Sequence, residues 1–136
     1  MINPANVPDV QAEELLARYI LFSKHIRSSN ETIKPDAFVP HPYHELSVTR
    51  HQHASEDEVW AIGMDVAETI QRRLHGRGDI TAQACLDQGL EVVAAPLENN
   101  PNHANVTRWP SGDKARQRFI AMRIAESATL VRPPAH

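Results

Sequence analysis

The chain is poor in cysteine, glycine and aromatic residues. Its 136 residues include one cysteine and five glycines, and 5% of them are aromatic. The single cysteine, Cys85, cannot form an internal disulfide, which excludes a disulfide-stapled scaffold and is typical of a reducing compartment. No apolar run approaches the roughly 20 residues of a membrane span. The start of the chain lacks the positive and apolar regions of a signal peptide. We therefore expect a cytoplasmic protein that does not enter a membrane.

An excess of positive charge is also missing. The 14 Lys and Arg residues are outnumbered by 17 Asp and Glu residues, which gives a formal net charge of -3. Proteins that coat nucleic acid usually present a net basic face, so nucleic acid is not the favoured partner. The length fits one domain. We predict a domain over residues 9–131 and flexible ends at 1–8 and 132–136.

Hydrophobic periodicity predicts three helices. Apolar residues recur at helical spacing over 9–25, where Asp9 can act as the N-cap. Ser55 and Glu58 form a capping-box pattern, which predicts a second helix over 56–73. Asp113 is the expected cap of the last helix.

Alternation of apolar and polar residues predicts strands over 46–50, 90–94 and 103–109, and a short strand over 37–39. Residues 80–84 fit either a strand or a short helix capped by Thr81. Gly76 and Gly78 are expected to form a turn after the second helix. The fold class that follows is α+β: a single compact domain with about three helices packed on a small, mostly antiparallel sheet.

Histidines cluster in the middle of the chain and predict a candidate metal site. His51 and His53 are separated by one residue, so on a strand both imidazoles would lie on one face. His41 or His44 could supply a third ligand. The run from His51 to Glu58 resembles the first half of a cupin metal motif. It departs from that motif because Glu45 replaces its leading glycine and the capping box commits Glu58 to a helix. A divalent transition metal is therefore an alternative, and no cofactor is expected otherwise.

A second constellation predicts an anion site. A glycine loop carrying His75 and Arg77 could present a fixed positive charge to a phosphate, and His103 could act as general acid or base. These three are the candidate catalytic residues if the protein is an enzyme. The candidate binding residues are Arg50, Asn105, Arg108 and Trp109.

Four residues are interpreted individually. Cys85 followed by His103 matches the order of nucleophile and base in several cysteine hydrolases, but its apolar surroundings are more typical of a packing residue. Trp60 and Phe119 are expected in the core. Trp109, just before a proline, is expected to be exposed for a partner.

Several segments of the chain together resemble a group of short, uncharacterised bacterial proteins. The segments are ELSV at 45–48, VWAIG at 59–63, LHGR at 74–77, HANV at 103–106 and WP at 109–110. The resemblance implies a bacterial cytoplasmic origin and a free-standing domain, and it implies no activity. The segments of His75 and His103 belong to the shared pattern, whereas His51 and His53 do not.

Two main hypotheses follow. The first is a small cytoplasmic binding or adaptor module that acts through a protein partner, with the polar loops and Trp109 as its recognition surface. The second is a small hydrolase or transferase acting on a phosphate-containing or nucleotide substrate, in which Arg77 and Arg50 hold the anion and His75 or His103 moves a proton. A histidine-ligated metalloprotein is the third alternative.

Overall fold

The computed structural model describes residues 6–40 and 45–134, which form eight strands and three α-helices. In chain order these are β1 (Leu15–Ile20), β2 (Ile26–Arg27), β3 (Thr32–Ile33), β4 (Leu46–Arg50), α1 (Glu56–Thr69), β5 (Gly76–Thr81), α2 (Ala82–Leu86), β6 (Glu91–Ala94), β7 (His103–Thr107), α3 (Lys114–Ser127) and β8 (Thr129–Val131).

Six of these strands form one sheet in the order β6-β7-β4-β1-β5-β8, and every neighbouring pair is antiparallel. The short strands β2 and β3 pair separately. Three helices packed on a mostly antiparallel sheet confirm the predicted α+β class. Within the described ranges, no helix is both long and apolar enough to cross a membrane.

The predicted first helix is wrong, because residues 15–20 form the strand β1. This strand lies between β4 and β5, and Leu16, Ala17 and Ile20 are fully buried. A strand that is covered on both faces has apolar residues on both, so apolar and polar residues no longer alternate along it. The apolar residues that remain then mimic the stripe of an amphipathic helix, which explains the error.

The later elements agree better with the predictions. The Ser55–Glu58 capping box is present, although α1 ends at Thr69 rather than at residue 73. Residues 80–84 contain both alternatives: the strand β5 ends at Thr81, and the Thr81 side chain caps the short helix α2 that follows. Asp113 caps α3 as predicted. The expected strand over 37–39 is wrong, because Pro35–Phe38 form a turn of 3-10 helix.

The predicted glycine loop is also wrong, since Gly76 and Gly78 lie inside β5. Gly78 faces the core, where an added Cβ would lie 2.7 Å from Ile33 Cδ1 and 3.0 Å from Phe38 Cζ. The glycine is thus required by close packing rather than by a turn. Phe38 fills the space that a side chain at residue 78 would need.

The main core lies between the sheet and α3. It is formed by apolar side chains of the strands together with α3 residues, among them Leu16, Val48, Ile80, Val106, Ile120 and Ile124. A smaller cluster on the opposite face joins α1 to the sheet and contains Trp60, Ala67 and Leu74 packed against Tyr19, Leu21 and Val131. The expected burial of Trp60 is confirmed, whereas Phe119 is 56% exposed and the prediction that it is buried is wrong.

The ends of the predicted domain make specific contacts. The Pro8 carbonyl accepts a hydrogen bond from Arg50 at 2.8 Å. Arg132 forms a bidentate ion pair with Glu31, with both distances 2.8 Å. The domain limits of 9 and 131 stay a prediction.

Replacing Gly78 by alanine should destabilise the fold. Ile33 and Phe38 are almost fully buried and have little room to shift, so overpacking should cost about 1–3 kcal/mol of unfolding free energy. Urea denaturation measures this loss. Ser47→Ala, at an exposed position of β4, is the control and should change stability by less than about 0.5 kcal/mol. A Gly78→Ala protein as stable as the control would contradict the packing role.

Candidate functional site

The structure does not bring the three candidate catalytic residues together. His103 pairs with Thr49, Thr49 with Ala17, and Ala17 with Asp79, so three strand spacings separate β7 from β5. That separation is roughly 14 Å. His75 lies four residues before Asp79, which adds roughly 13 Å along the strand. His75 and His103 are therefore at distant points of the sheet.

The two histidines also have different surroundings. His103 Nδ1 lies 2.9 Å from the carbonyl oxygen of Ala95 and must carry the proton of that hydrogen bond. Burial is the largest cause that lowers the pKa of His103. Burial also lowers the pKa of His75, and the charges of Arg73 and Arg132 add to the effect. Both rings therefore favour the neutral form at neutral pH.

Arg77 lies at the centre of a buried polar network under the first turn of α1. Its Nε donates to Asp79 Oδ1 at 3.0 Å, and its Nη2 donates to Asp79 Oδ2 at 3.2 Å and to Glu56 Oε1 at 2.9 Å. His51 Nε2 lies 3.1 Å from the same Asp79 Oδ1. The guanidinium carbon lies 4.7 Å from the centre of the Trp60 ring. We call these five residues the Arg77 network.

The chain builds this network from two segments. Arg77 and Asp79 are two residues apart on β5, so their side chains lie on the same face of the sheet. His51 directly follows β4, and Glu56 is the first residue of α1. The chain after β4 therefore brings both side chains over that face. Sequence reasoning identified Arg77 and His51 but placed them in different sites. Only the pairing of distant strands brings them together.

The charges of the network are largely compensated. Burial lowers the pKa of Arg77, but its hydrogen bonds to Glu56 and Asp79 raise the pKa by more, so it lies above its ordinary value. The hydrogen bond from Arg77 lowers the pKa of Glu56. Nη1 of Arg77 is buried and makes no hydrogen bond within the described residues. A ligand in solvent has no access to that atom, so the network is better suited to fastening α1 to the sheet than to holding a substrate.

The four candidate binding residues lie in different environments. Arg50 is buried, donates to both carboxylate oxygens of Glu14 at 2.7 and 2.8 Å, and has no surface to offer an anion. Trp109 is 5% exposed and its Nε1 donates to the Val106 carbonyl at 3.0 Å, so the expectation that it is exposed is wrong. Arg108 is exposed but forms an ion pair with Glu91 at 2.6 Å. Asn105 is partly exposed on β7.

The candidate metal ligands do not converge in the part of the chain that the structure describes. His51 is bonded to Asp79, and His53 is exposed. Within residues 6–40 and 45–134, no group of three or more His, Cys, Asp or Glu side chains could hold a metal ion. His41 and His44, the proposed third ligands, lie outside the described residues.

Cys85 lies in the core rather than beside a base. Its side chain is fully buried, and burial raises the pKa of the thiol to about 12. A thiol with that pKa carries almost no thiolate at neutral pH, and the thiolate is the nucleophilic form. Cys85 therefore fits the packing interpretation.

A groove beside Phe22 was missed by sequence reasoning. The residues that line it come from the end of β1 and from the segment after α1, and it has a volume of about 570 Å³. Lys24, Arg72 and Arg73 are its cationic side chains, and none of its lining residues is acidic. We call it the Phe22 groove; its lining residues are Leu21, Phe22, Ser23, Lys24, Gln71, Arg72, Arg73 and His75.

The cations of the Phe22 groove form no ion pair with the residues that the structure describes. Among the described residues, no carboxylate pairs with Lys24, Arg72 or Arg73. Arg72 instead stacks on Phe22, with its guanidinium carbon 4.6 Å from the ring centre, and the Lys24 ammonium lies 5.9 Å from that centre. The Arg72–Arg73 pair was the sequence signal available, but Lys24 is 48 positions earlier (72 minus 24), so the cluster exists only in the fold.

Comparison with known proteins adds no assignment. No family model, no curated protein and no solved structure matches this chain. Function is therefore inferred from the chemistry of the described residues.

The Arg77 network should be essential for stability. Asp79→Ala would leave the buried Arg77 charge with Glu56 alone, a side chain that is 65% exposed, and should cost about 3–5 kcal/mol of unfolding free energy. Urea denaturation checks this. Asp65→Ala, on the exposed side of α1, is the matched control and should cost less than about 0.5 kcal/mol. Equal losses in the two variants would show that the network is not what holds α1.

Cys85 should resist alkylation in the folded protein. Because the thiol is buried and its pKa is raised to about 12, iodoacetamide should modify it at pH 7.5 far more slowly than it modifies the protein unfolded in urea. Mass spectrometry follows the reaction. Labelling of folded protein at the rate of the unfolded chain would contradict the burial and would restore Cys85 as a candidate nucleophile.

Proposed function

We propose that the protein is a small binding module that recognises a phosphate-bearing ligand in the Phe22 groove. The observation that carries the proposal is the set of three cations, Lys24, Arg72 and Arg73, that line one groove with no acidic lining residue and form no ion pair within the described residues. The whole chain has a net charge of -3, so this local excess of positive charge runs against its average. Such a cluster attracts anions, and phosphate is an anion that both Arg and Lys bind well.

The groove is partly ordered before any ligand binds. Stacking on Phe22 already restricts the rotamers of the Arg72 side chain before a ligand binds. Less conformational entropy is therefore lost on binding. The guanidinium group offers parallel N–H donors that match two phosphate oxygens, whereas Lys24 acts as a single point charge. Arg72 is therefore the residue expected to orient the ligand, with Lys24 and Arg73 adding attraction.

Binding is proposed rather than catalysis. Of the three candidate catalytic residues, only His75 lines the Phe22 groove. Arg77 is enclosed in its network, and His103 lies on β7, two strand spacings from β1, so neither supports a phosphate in this groove. The adaptor hypothesis stays a prediction: Arg108 and Asn105 remain accessible to a protein partner, but the burial of Trp109 removes the aromatic anchor that the hypothesis used.

Pyrophosphate and ATP are the probes for this proposal, measured by isothermal titration calorimetry at low ionic strength. We expect saturable binding of both that weakens as salt is added, because the contacts are charged and exposed. ATP binding more tightly than pyrophosphate would identify a nucleotide, and equal affinities would identify recognition of phosphate alone. A short single-stranded oligonucleotide that binds far more tightly than either would overturn the small-ligand proposal.

Arg72→Ala should weaken pyrophosphate binding about tenfold or more, since each charge-assisted hydrogen bond contributes roughly 1.5–3 kcal/mol. Arg116→Ala is the matched control, because Arg116 is exposed on α3 and lies outside the groove. Its affinity should equal that of the parent protein. The proposal fails if neither anion binds at millimolar concentration, or if the two variants lose affinity equally.

A further inference from the structure

Arg18 occupies an unusual position in the centre of the sheet. The strands β1 and β4 pair only at Leu16 with Arg50 and at Ala17 with Thr49, and then separate. The Arg18 side chain bridges the opening: its Nε donates to the Ala37 carbonyl at 2.9 Å, and its Nη1 donates to the Ser47 carbonyl at 3.1 Å. A carbonyl of the strand β4 and a carbonyl of the 3-10 turn Pro35–Phe38 are thus both satisfied by one charged side chain.

Arg18 has no counter-ion in the part of the chain that the structure describes. Within the described residues, no carboxylate forms an ion pair with Arg18. Burial alone lowers its pKa to about 10, with no acidic group to offset the shift. Arg50 and Arg77, which are more deeply buried than the partly exposed Arg18, each contact a buried carboxylate. Because an uncompensated charge is costly to bury, Arg18 has a strong preference for an anion.

A cavity lies beside Arg18. Its volume is about 120 Å³, and Arg18 lines it together with Tyr19, Phe22, Val48 and Val66. Nη2 of Arg18 makes no hydrogen bond to any described residue and is not among the fully buried unpaired atoms, so it is accessible to a small molecule. The cavity therefore combines one free donor group with largely apolar walls.

We propose that this cavity, the Arg18 cavity, binds a small organic monocarboxylate. The carboxylate accepts hydrogen bonds from Arg18, and a short apolar tail packs against Phe22, Val48 and Val66. One negative charge on the ligand balances the positive charge of Arg18. His25, which also lines the cavity, has its pKa lowered mainly by burial and adds no second charge near neutral pH, so a phosphate dianion is the poorer fit.

The size of the cavity limits the ligand. An apolar cavity of about 150 Å³ accommodates benzene, so a volume slightly below that suits a short-chain acid such as butyrate. The Arg18 cavity and the Phe22 groove share only Leu21 and Phe22, and their cations differ. The two proposals therefore stand on separate observations.

Butyrate and its neutral analogue 1-butanol are the probes, compared by isothermal titration calorimetry. We expect one butyrate per chain and an affinity for 1-butanol weaker by about tenfold or more, because the alcohol cannot form charge-assisted hydrogen bonds with Arg18. Phosphate should bind this cavity more weakly than butyrate. Equal affinities for butyrate and 1-butanol, or no binding of butyrate at all, would overturn the proposal.

Variants separate a binding role from a structural one. Arg18→Met should abolish butyrate binding, but it also removes two hydrogen bonds to backbone carbonyls and could unfold the protein. Val66→Phe fills the cavity from α1 and leaves Arg18 intact, so it should abolish butyrate binding in a folded protein. Met64→Phe, at an exposed position of α1 outside the cavity, is the control and should bind butyrate normally.

The same variants distinguish the two proposals. Val66→Phe should keep the pyrophosphate affinity of the parent protein, because Val66 does not line the Phe22 groove. Butyrate binding that persists in Val66→Phe would show that the acid binds elsewhere and would overturn the Arg18 cavity. Loss of butyrate binding in Val66→Phe, with the same pyrophosphate binding as in the parent protein, would support the Arg18 cavity. This conclusion holds even if the parent protein binds no pyrophosphate.

Discussion

The structure depends on the pairing of β1 between β4 and β5. This strand places Leu16 and Ile20 in the main core, and on the opposite face the Tyr19 hydroxyl donates to the Val59 carbonyl of α1 at 2.6 Å. It joins the half of the sheet that contains β6, β7 and β4 to the half that contains β5 and β8. Both proposed ligand sites also begin here, since Arg18 belongs to β1 and Phe22 follows its end. Loss of this strand would separate the core, α1 and both sites at once.

Three arginines differ in how the fold compensates their charge. Arg50 is neutralised by Glu14, whose pKa is raised by burial but lowered by more through hydrogen bonds from Arg50 and Gln11, with a net shift downwards. Arg77 is neutralised by Asp79 and Glu56. These two form closed networks that hold the N-terminal segment and α1 against the sheet. Arg18 differs because its partners are carbonyl groups, which satisfy hydrogen bonds without cancelling charge.

Sequence reasoning succeeded where the interactions join residues close in sequence and failed where they join distant ones. The caps at Ser55, Thr81 and Asp113 are contacts within three residues; the sequence predicted those at Ser55 and Asp113 and gave the one at Thr81 as one of two alternatives. β1 was misread because its apolar residues are explained only by strands distant in sequence. Gly78 was misread because its neighbour Phe38 is 40 positions earlier (78 minus 38). The candidate site followed the same rule: Arg77 was identified as important, but its partner His51 was assigned to a metal site.

The sequence by itself determined the α+β class, the N-terminal starts of α1 and α3 and the absence of an internal disulfide, because these depend on composition and on local contacts. Only the tertiary structure decided which arginines are paired and which are free. Charge compensation is a property of distance in space, and the residues that compensate Arg50 and Arg77 reach them through strand pairing. Within the described residues, the same pairing leaves Arg18 without a carboxylate and gathers Lys24 with Arg72 and Arg73. The candidate ligand sites thus arise from the fold, since no local pattern in the chain specifies them.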